Sequence, residues 1–146
     1  MTTVFLGLGS NLGDRTQNLD SAIEQISRRI GQVLDQSDFI ETEPWGYESA
    51  NLYVNAVVCV ETELSPTELL HETQSIERDL GRLAKTVSEY QDRVIDIDIL
   101  IYGDLTISND ELTIPHPRMN QREFVMTPLR QLMERGHNHC HPRDDT

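Results

Sequence analysis

Apolar positions recur along the chain with two periods, one suited to strands and one to helices. Val4-Phe5-Leu6-Gly7-Leu8-Gly9 is a short apolar run ending in glycine, the pattern of a buried strand. Ser10-Asn11-Leu12-Gly13-Asp14 is a turn-and-cap cluster. Beyond it Leu19, Ala22, Ile23, Ile26 and Ile30 recur at helical spacing, which predicts an amphipathic helix over roughly 15–30, stopped by Gly31. From Val33 to Thr42 polar and apolar residues mix in strand fashion, until Glu43-Pro44-Trp45-Gly46 turns the chain into a loop. Residues 52–62 are rich in β-branched side chains and predict a further strand. Ser65-Pro66-Thr67-Glu68 is a capping box with proline at the first helical position. It opens a helix to about Leu80, with Leu69, Leu70, Thr73, Ile76, Glu77 and Leu80 near one side and Gly81 closing it. Residues 81–92 lack an apolar period and predict a mobile loop. From Val94 to Tyr102 alternation returns, with Ile95, Ile97, Ile99 and Ile101 on one face and Asp96, Asp98 and Leu100 on the other. A strand pair around 105–114 and a helix near 123–135 follow. Residues 136–146, with His137, His139, Cys140 and His141, read as a disordered, histidine-rich tail.

The order strand, helix, strand, strand, helix, strand over residues 4–102 predicts an α+β fold with a ferredoxin-like βαββαβ core. Its antiparallel sheet carries both helices on one face and leaves the opposite face for a site, and the later strands and helix are appendages. With 146 residues the chain suits one domain, placed at 1–135. At 37% hydrophobic and 25% charged residues the composition is that of a soluble globular protein. No run approaches the roughly 18 apolar residues of a membrane span, and Met1-Thr2-Thr3-Val4 lacks the basic start of a secretory signal. Together with only two cysteines, of which Cys59 sits in an apolar run, this places the chain in the cytoplasm, with no membrane partner. A net charge of −13 with only 12 Lys and Arg argues against nucleic-acid backbone as a partner. Anionic small molecules fit only where cations gather or a metal intervenes. Nothing in the sequence identifies a protein partner or an oligomeric state.

Asp96 and Asp98 are the first candidates for chemistry. Spacing of two along a strand aims both carboxylates at one face, with Cα atoms about 7 Å apart, and such a pair suits Mg²⁺. The bare spacing fits a solvated strand face equally well. The interleaved isoleucines predict a central strand, where two carboxylates need a metal or cations. Arg82, Lys85 and Arg93 precede the strand and Arg118 and Arg122 follow it, as phosphoryl or pyrophosphoryl transfer requires. Gly7-Leu8-Gly9-Ser10-Asn11 has no lysine at Walker spacing and reads as a tight turn shaping a pocket floor. The His137–His141 cluster is poorly spaced for a tetrahedral metal site. Trp45, Tyr47, Tyr53 and Phe124, with Thr42 and Asn55 as polar partners, suggest a planar ligand, although Tyr53 and Phe124 suit a core as well.

These segments together resemble the 6-hydroxymethyl-7,8-dihydropterin pyrophosphokinase family of folate biosynthesis. The likeness runs through Gly9-Ser10-Asn11-Leu12-Gly13, Thr42-Glu43-Pro44-Trp45-Gly46, Tyr53-Val54-Asn55-Ala56-Val57 and Gln74-Ser75-Ile76-Glu77. It continues in Gly81-Arg82, Arg93-Val94-Ile95-Asp96-Ile97-Asp98-Ile99-Leu100, Pro115-His116-Pro117-Arg118 and Arg122-Glu123-Phe124-Val125. The resemblance implies that ATP passes its β,γ-pyrophosphoryl unit to the hydroxymethyl oxygen of a reduced pterin, releasing AMP. It implies two Mg²⁺ ions on Asp96 and Asp98, with Arg82 and Arg93 closing over the phosphates as further catalytic residues. Gln74, Glu77, Ile99, His116 and Arg122 match ATP-binding positions. Thr42, Trp45, Tyr53, Asn55 and Phe124 match the pterin pocket, with the rings of Tyr53 and Phe124 sandwiching the bicycle. The sequence departs from the family pattern at Tyr90-Gln91-Asp92, where the family commonly has tryptophan, a small residue and proline. It departs again at Ala84, where a second cation is usual. Those departures are what a divergent paralogue, binding ATP or pterin with weak or altered transfer, would carry. An RNA-binding split-βαβ module is the third reading, opposed by the acidic charge and the lack of a basic, aromatic-studded strand.

Overall fold

The computed structural model of the protein describes residues 1–42, 52–81, 94–116 and 123–137, with the side chains of 123–125 and 137 outside that set. The described elements run β1 (Thr2–Ser10), α1 (Arg15–Arg29), β2 (Gly31–Gln36), β3 (Ile40–Thr42), β4 (Tyr53–Thr62), α2 (Pro66–Gly81), β5 (Asp96–Tyr102), β6 (Ile107–Ser108), β7 (Thr113–Ile114) and α3 (Glu123–Leu132). The predicted loop at 81–92 and the tail beyond 137 lie outside the described residues almost entirely. Among the described residues no helix is long and apolar enough to cross a membrane.

Local chemistry explains where the elements begin and end. Asp14 caps α1, its carboxylate accepting from the Gln17 amide at 3.1 Å. The capping box of α2 is reciprocal: the Ser65 amide donates to Glu68 at 2.8 Å and the Glu68 amide to Ser65 Oγ at 3.1 Å. Gly31 does follow the end of α1, but its glycine identity has another cause. It opens β2, and a Cβ there would stand 2.0 Å from the Glu61 carbonyl oxygen. The strand predicted from 33 to 42 divides into β2 and β3. Gln36 pairs with Val58 and Ile40 with Asn55, so one extra residue is accommodated between them. Ser37 bridges the break, its amide donating to the Val57 carbonyl and its hydroxyl accepting from the Val57 amide, both at 2.9 Å.

The sheet has the order β2-β4-β1-β5, with β3 also paired to β4 and all neighbours antiparallel. This is the ferredoxin-like arrangement expected from the element order. Two apolar layers cover it. On one face Val4, Leu6, Leu8, Val54, Val58 and Ile97 pack against Leu19 and Ile26 of α1 and Leu69 and Ile76 of α2. The two helices are also tied by Arg29, which reaches Glu72 at 3.0 Å, Asp79 at 2.9 Å and Ser75 at 2.6 Å. Burial works against that charge, but the hydrogen bonds it donates to Asp79 and Glu72, and their charges, outweigh it and hold the guanidinium above its ordinary value.

Three expectations about the second face need correction. That face is not left open: Phe5, Val57, Cys59, Leu100 and Ile101 form a second core under Leu129 and Leu132 of α3. Among the described residues β5 is not a central strand but the sheet's edge, made apolar by helices on both faces rather than by strands on both sides. Nor does Ile101 share the face of Ile95, Ile97 and Ile99. Leu6 pairs with Ile99 but Phe5 with Ile101, so β5 carries one extra residue, which moves Ile101 beside Leu100 in the second core and Tyr102 into the first.

Candidate functional site

At the end of the second face beyond the α3 core, the sheet presents a floor without side chains. β1 contributes Gly7 and Gly9, whose neighbours Leu6 and Leu8 are buried toward α1 and α2. The Gly-x-Gly pattern is therefore a strand face, and the turn lies later, at Gly13 with φ +76°. Gly9 is paired on one side with Asn55 of β4 and on the other with Asp96 of β5, and Gly7 with Asp98. A Cβ on Gly9 would come within 2.9 Å of Asn55 Oδ1 and 3.3 Å of the Tyr53 ring. A Cβ on Gly7 would touch Leu100 at 3.4 Å. The glycines let groups from both neighbouring strands lean over β1.

On the β4 side, Asn55 is buried and donates from Nδ2 to Thr42 Oγ1 at 2.7 Å, which ties β3 to the site. Tyr53 lies on the same face two residues earlier, and its hydroxyl makes a long contact of 3.4 Å with Asp96 Oδ2. On the other side the half-buried Asp96 and Asp98 project over the floor. Asn55 and Asp96 flank the same glycine, so their strands lie about 10 Å apart.

Among the described residues no further strand pairs with the outer edge of β5, and other groups bond to it. The Glu77 carboxylate, from α2, accepts the Ile97 amide at 2.7 Å. The His116 amide donates at 3.0 Å to the carbonyl of Leu100, the residue at the bulge. Gln74 lies one turn before Glu77 on α2 and is exposed. Ile99 is buried among the α1–α2 core residues, so only its backbone lies at this edge.

Thr42, Tyr53, Asn55, Asp96, Asp98, Glu77, Ile99 and His116 are thus brought to one end of the sheet and its β5 edge. Arg82, Arg93, Arg122 and Trp45 lie outside the described residues, as do Ala84 and Asp92. Phe124 is placed by its backbone alone, in the first turn of α3. Sequence reading missed two features: Gly9 as the residue over which Asn55 and Tyr53 lean, and the Glu77–Ile97 link. Each left a signal, a Gly-x-Gly at strand period and an acid on the apolar side of α2.

Among the described residues no group of three or more His, Cys, Asp or Glu could hold a metal. Two same-face carboxylates above a bare floor fit a hard cation that completes its shell with water and phosphate oxygens, which is how Mg²⁺ is usually held. Two zones flank that pair: a polar and aromatic one on β3 and β4, and the β5 edge with α2 and His116.

The model of the family described as 7,8-dihydro-6-hydroxymethylpterin-pyrophosphokinase (HPPK) matches residues 5–134. A Porphyromonas gingivalis protein named 2-amino-4-hydroxy-6-hydroxymethyldihydropteridine pyrophosphokinase is 50% identical over 131 residues, 88% of this chain and 89% of its own length. The Haemophilus influenzae protein of the same name is 42% identical over 130 residues, covering 88% of this chain and 80% of the relative. Among solved structures, a Plasmodium falciparum HPPK-DHPS superposes with a TM-score of 0.75 at 16% identity, over 99% of this chain and 42% of that one. An HPPK-DHPS in complex with substrates gives 0.72 at 14% identity, over 90% and 40%. At those identities the structures speak to the fold alone, and this chain spans about two fifths of their length. The match along nearly the whole sequence, carried at high identity by relatives of similar length, settles the assignment: the chain belongs to the 7,8-dihydro-6-hydroxymethylpterin-pyrophosphokinase family.

Proposed function

We propose that the glycine-floored end of the sheet is where this chain transfers pyrophosphate from ATP to the hydroxymethyl group of 6-hydroxymethyl-7,8-dihydropterin. The chain is an ATP-dependent diphosphokinase of folate biosynthesis. In the reaction the hydroxymethyl oxygen bonds to the β-phosphorus, the bond from that phosphorus to the oxygen bridging it to the α-phosphorus breaks, and AMP departs while the hydroxyl proton is lost.

The observation that carries the reading is the order across the sheet: Thr42, Tyr53 and Asn55 on one side of Gly9, Asp96 and Asp98 on the other, and Glu77 and His116 at the far edge. An uncharged planar acceptor belongs on the β3–β4 side, where Asn55 and Thr42 fix its polar edge and Tyr53 supplies aromatic surface; the resemblance adds Trp45 and Phe124 to the residues that bind it. ATP belongs at the β5 edge with Gln74, Glu77 and His116, and with Ile99 through its backbone; the resemblance adds Arg122 to the residues that bind it. Asp96 and Asp98 would hold two Mg²⁺ ions, and Arg82 and Arg93 would neutralise the phosphates. Bound there, the metal neutralises phosphate charge and brings donor and acceptor oxygens together. The chain's own contribution is then positioning, since pyrophosphoryl transfer asks chiefly for alignment and charge stabilisation.

The test is AMP formation from ATP and Mg²⁺, with and without the pterin, in the wild type and Asp98→Ala. Pterin-dependent AMP that falls by about a hundredfold or more in the variant supports the site. A folded wild type that binds ATP but releases no AMP when pterin is added overturns it.

A further inference from the structure

We infer that Glu77 is a positioning residue for the acid pair, acting through the backbone of β5 rather than only as a contact for nucleotide. The inference rests on the proposed role of Asp96 and Asp98 and deepens it.

Four observations carry it. β5 is an edge strand, so along its outer side the ladder leaves amides that β1 does not satisfy. Gly9 and Gly7 pair with Asp96 and Asp98, and the residue between the two acids, Ile97, turns its N–H away from β1. That N–H donates to the Glu77 carboxylate at 2.7 Å, a short, charge-assisted bond in a partly buried setting. Finally, α2 is anchored independently of this contact, by Leu69 and Ile76 in the core and by the ties from Arg29 to Glu72, Ser75 and Asp79. Glu77 therefore transmits the position of a rigid helix to the Asp96–Ile97 peptide, one of the two that link the aspartates.

The consequence is geometric. The directions of the Asp96 and Asp98 side chains depend on the pleat at Ile97. Fixing that amide fixes the angle between the carboxylates, as outer groups orient metal ligands in general, where their loss costs about 10–100-fold in affinity or activity. An edge strand without this tie would fray at the site. The Glu77 charge also adds to the negative field behind the two aspartates, which favours a cation in front of them.

The experiment compares the full-length wild type with Glu77→Gln, Glu77→Ala and Ser65→Ala. The last weakens the same helix at its capping box, away from the site. Glutamine keeps an oxygen able to accept the Ile97 amide and alanine removes it. Two readouts are needed. Amide hydrogen exchange without ligand should find Ile97 protected in the wild type, Glu77→Gln and Ser65→Ala, and at least tenfold faster to exchange in Glu77→Ala. Pterin-dependent AMP formation should lose about 10–100-fold in kcat in Glu77→Ala, with more Mg²⁺ needed for half-maximal rate, while Glu77→Gln recovers most of it. Equal losses in the glutamine and alanine variants with Ile97 still protected would overturn the positioning role and leave a direct contact with ligand. So would a loss in Glu77→Ala no larger than that of Ser65→Ala. An inactive wild type instead counts against the proposed reaction, while the exchange result still decides whether Glu77 holds the strand.

Discussion

At the scale of single residues, the most consequential choice in the site is the absence of a side chain. Gly9 sits between a donor–acceptor pair on one side, Asn55 with Thr42, and a carboxylate on the other. Gly9→Ala brings a methyl group to 2.9 Å from Asn55 Oδ1 and 3.3 Å from the Tyr53 ring, so both side chains must move. The expected outcome is a rise of about tenfold or more in KM for the pterin, with a smaller change for ATP, because the displaced groups lie on the acceptor side. Steady-state kinetics with each substrate varied in turn checks this, and an unchanged pterin KM would place the acceptor elsewhere. The spacing of Asp96 and Asp98 put both on one strand face, although that spacing fits a solvated face equally well. Gly9 was not recognisable, because its meaning depends on which strands flank β1, and no local pattern encodes that.

At the scale of elements, the strongest local signals were those with a chemical cause inside a few residues. The capping box at Ser65 and Glu68 and the cap at Asp14 formed as the sequence predicts, because their partners lie within one helical turn. Gly31 behaves differently. It follows α1, yet what requires glycine there is β4, whose Glu61 carbonyl would lie 2.0 Å from a Cβ. Gly31→Ala has only backbone to push against, so the pairing of β2 with β4 must open. A loss of about 3 kcal/mol, near the upper end for overpacking, is expected in urea unfolding at constant m-value. The bulge in β5 is the other case where an element differs from its pattern. The extra residue between Ile99 and Ile101 aims Leu100 and Ile101 together at α3 and leaves the Leu100 carbonyl to the His116 amide. Strict alternation could not foresee it, since the extra residue is chosen by the packing of α3 and the neighbouring β1.

At the scale of the whole molecule, the position of the site follows from what α3 covers. The second core, from Phe5 and Cys59 to Leu129 and Leu132, closes the middle of the face opposite α1 and α2; it reaches Gly7 through Val57 and Leu100 and leaves Gly9 beyond it. Polar ties fasten this region to the far edge of the sheet: Gln131 to Asp38 at 3.0 Å, and Arg135 to Asp35 at 3.0 Å. Leu132 is fully buried there. Leu132→Ala should destabilise the protein by about 2–5 kcal/mol in urea unfolding, as truncation of a packed leucine does. A change below about 1 kcal/mol would mean that α3 is held by its polar ties instead.

The sequence by itself determined the elements, the ferredoxin-like order and the acid pair, because strand and helix periods, caps and a two-residue spacing are local. The resemblance through segments from Gly9 to Val125 also named the family, which the comparisons bore out. Only the tertiary structure decided that β5 is an edge strand, that α3 closes most of the second face, and that Glu77 reaches the amide between the two aspartates. Those facts depend on which residues far apart in the chain come to touch, and burial is a property of such contacts. An isoleucine-rich strand reads the same whether strands flank it or helices cover it.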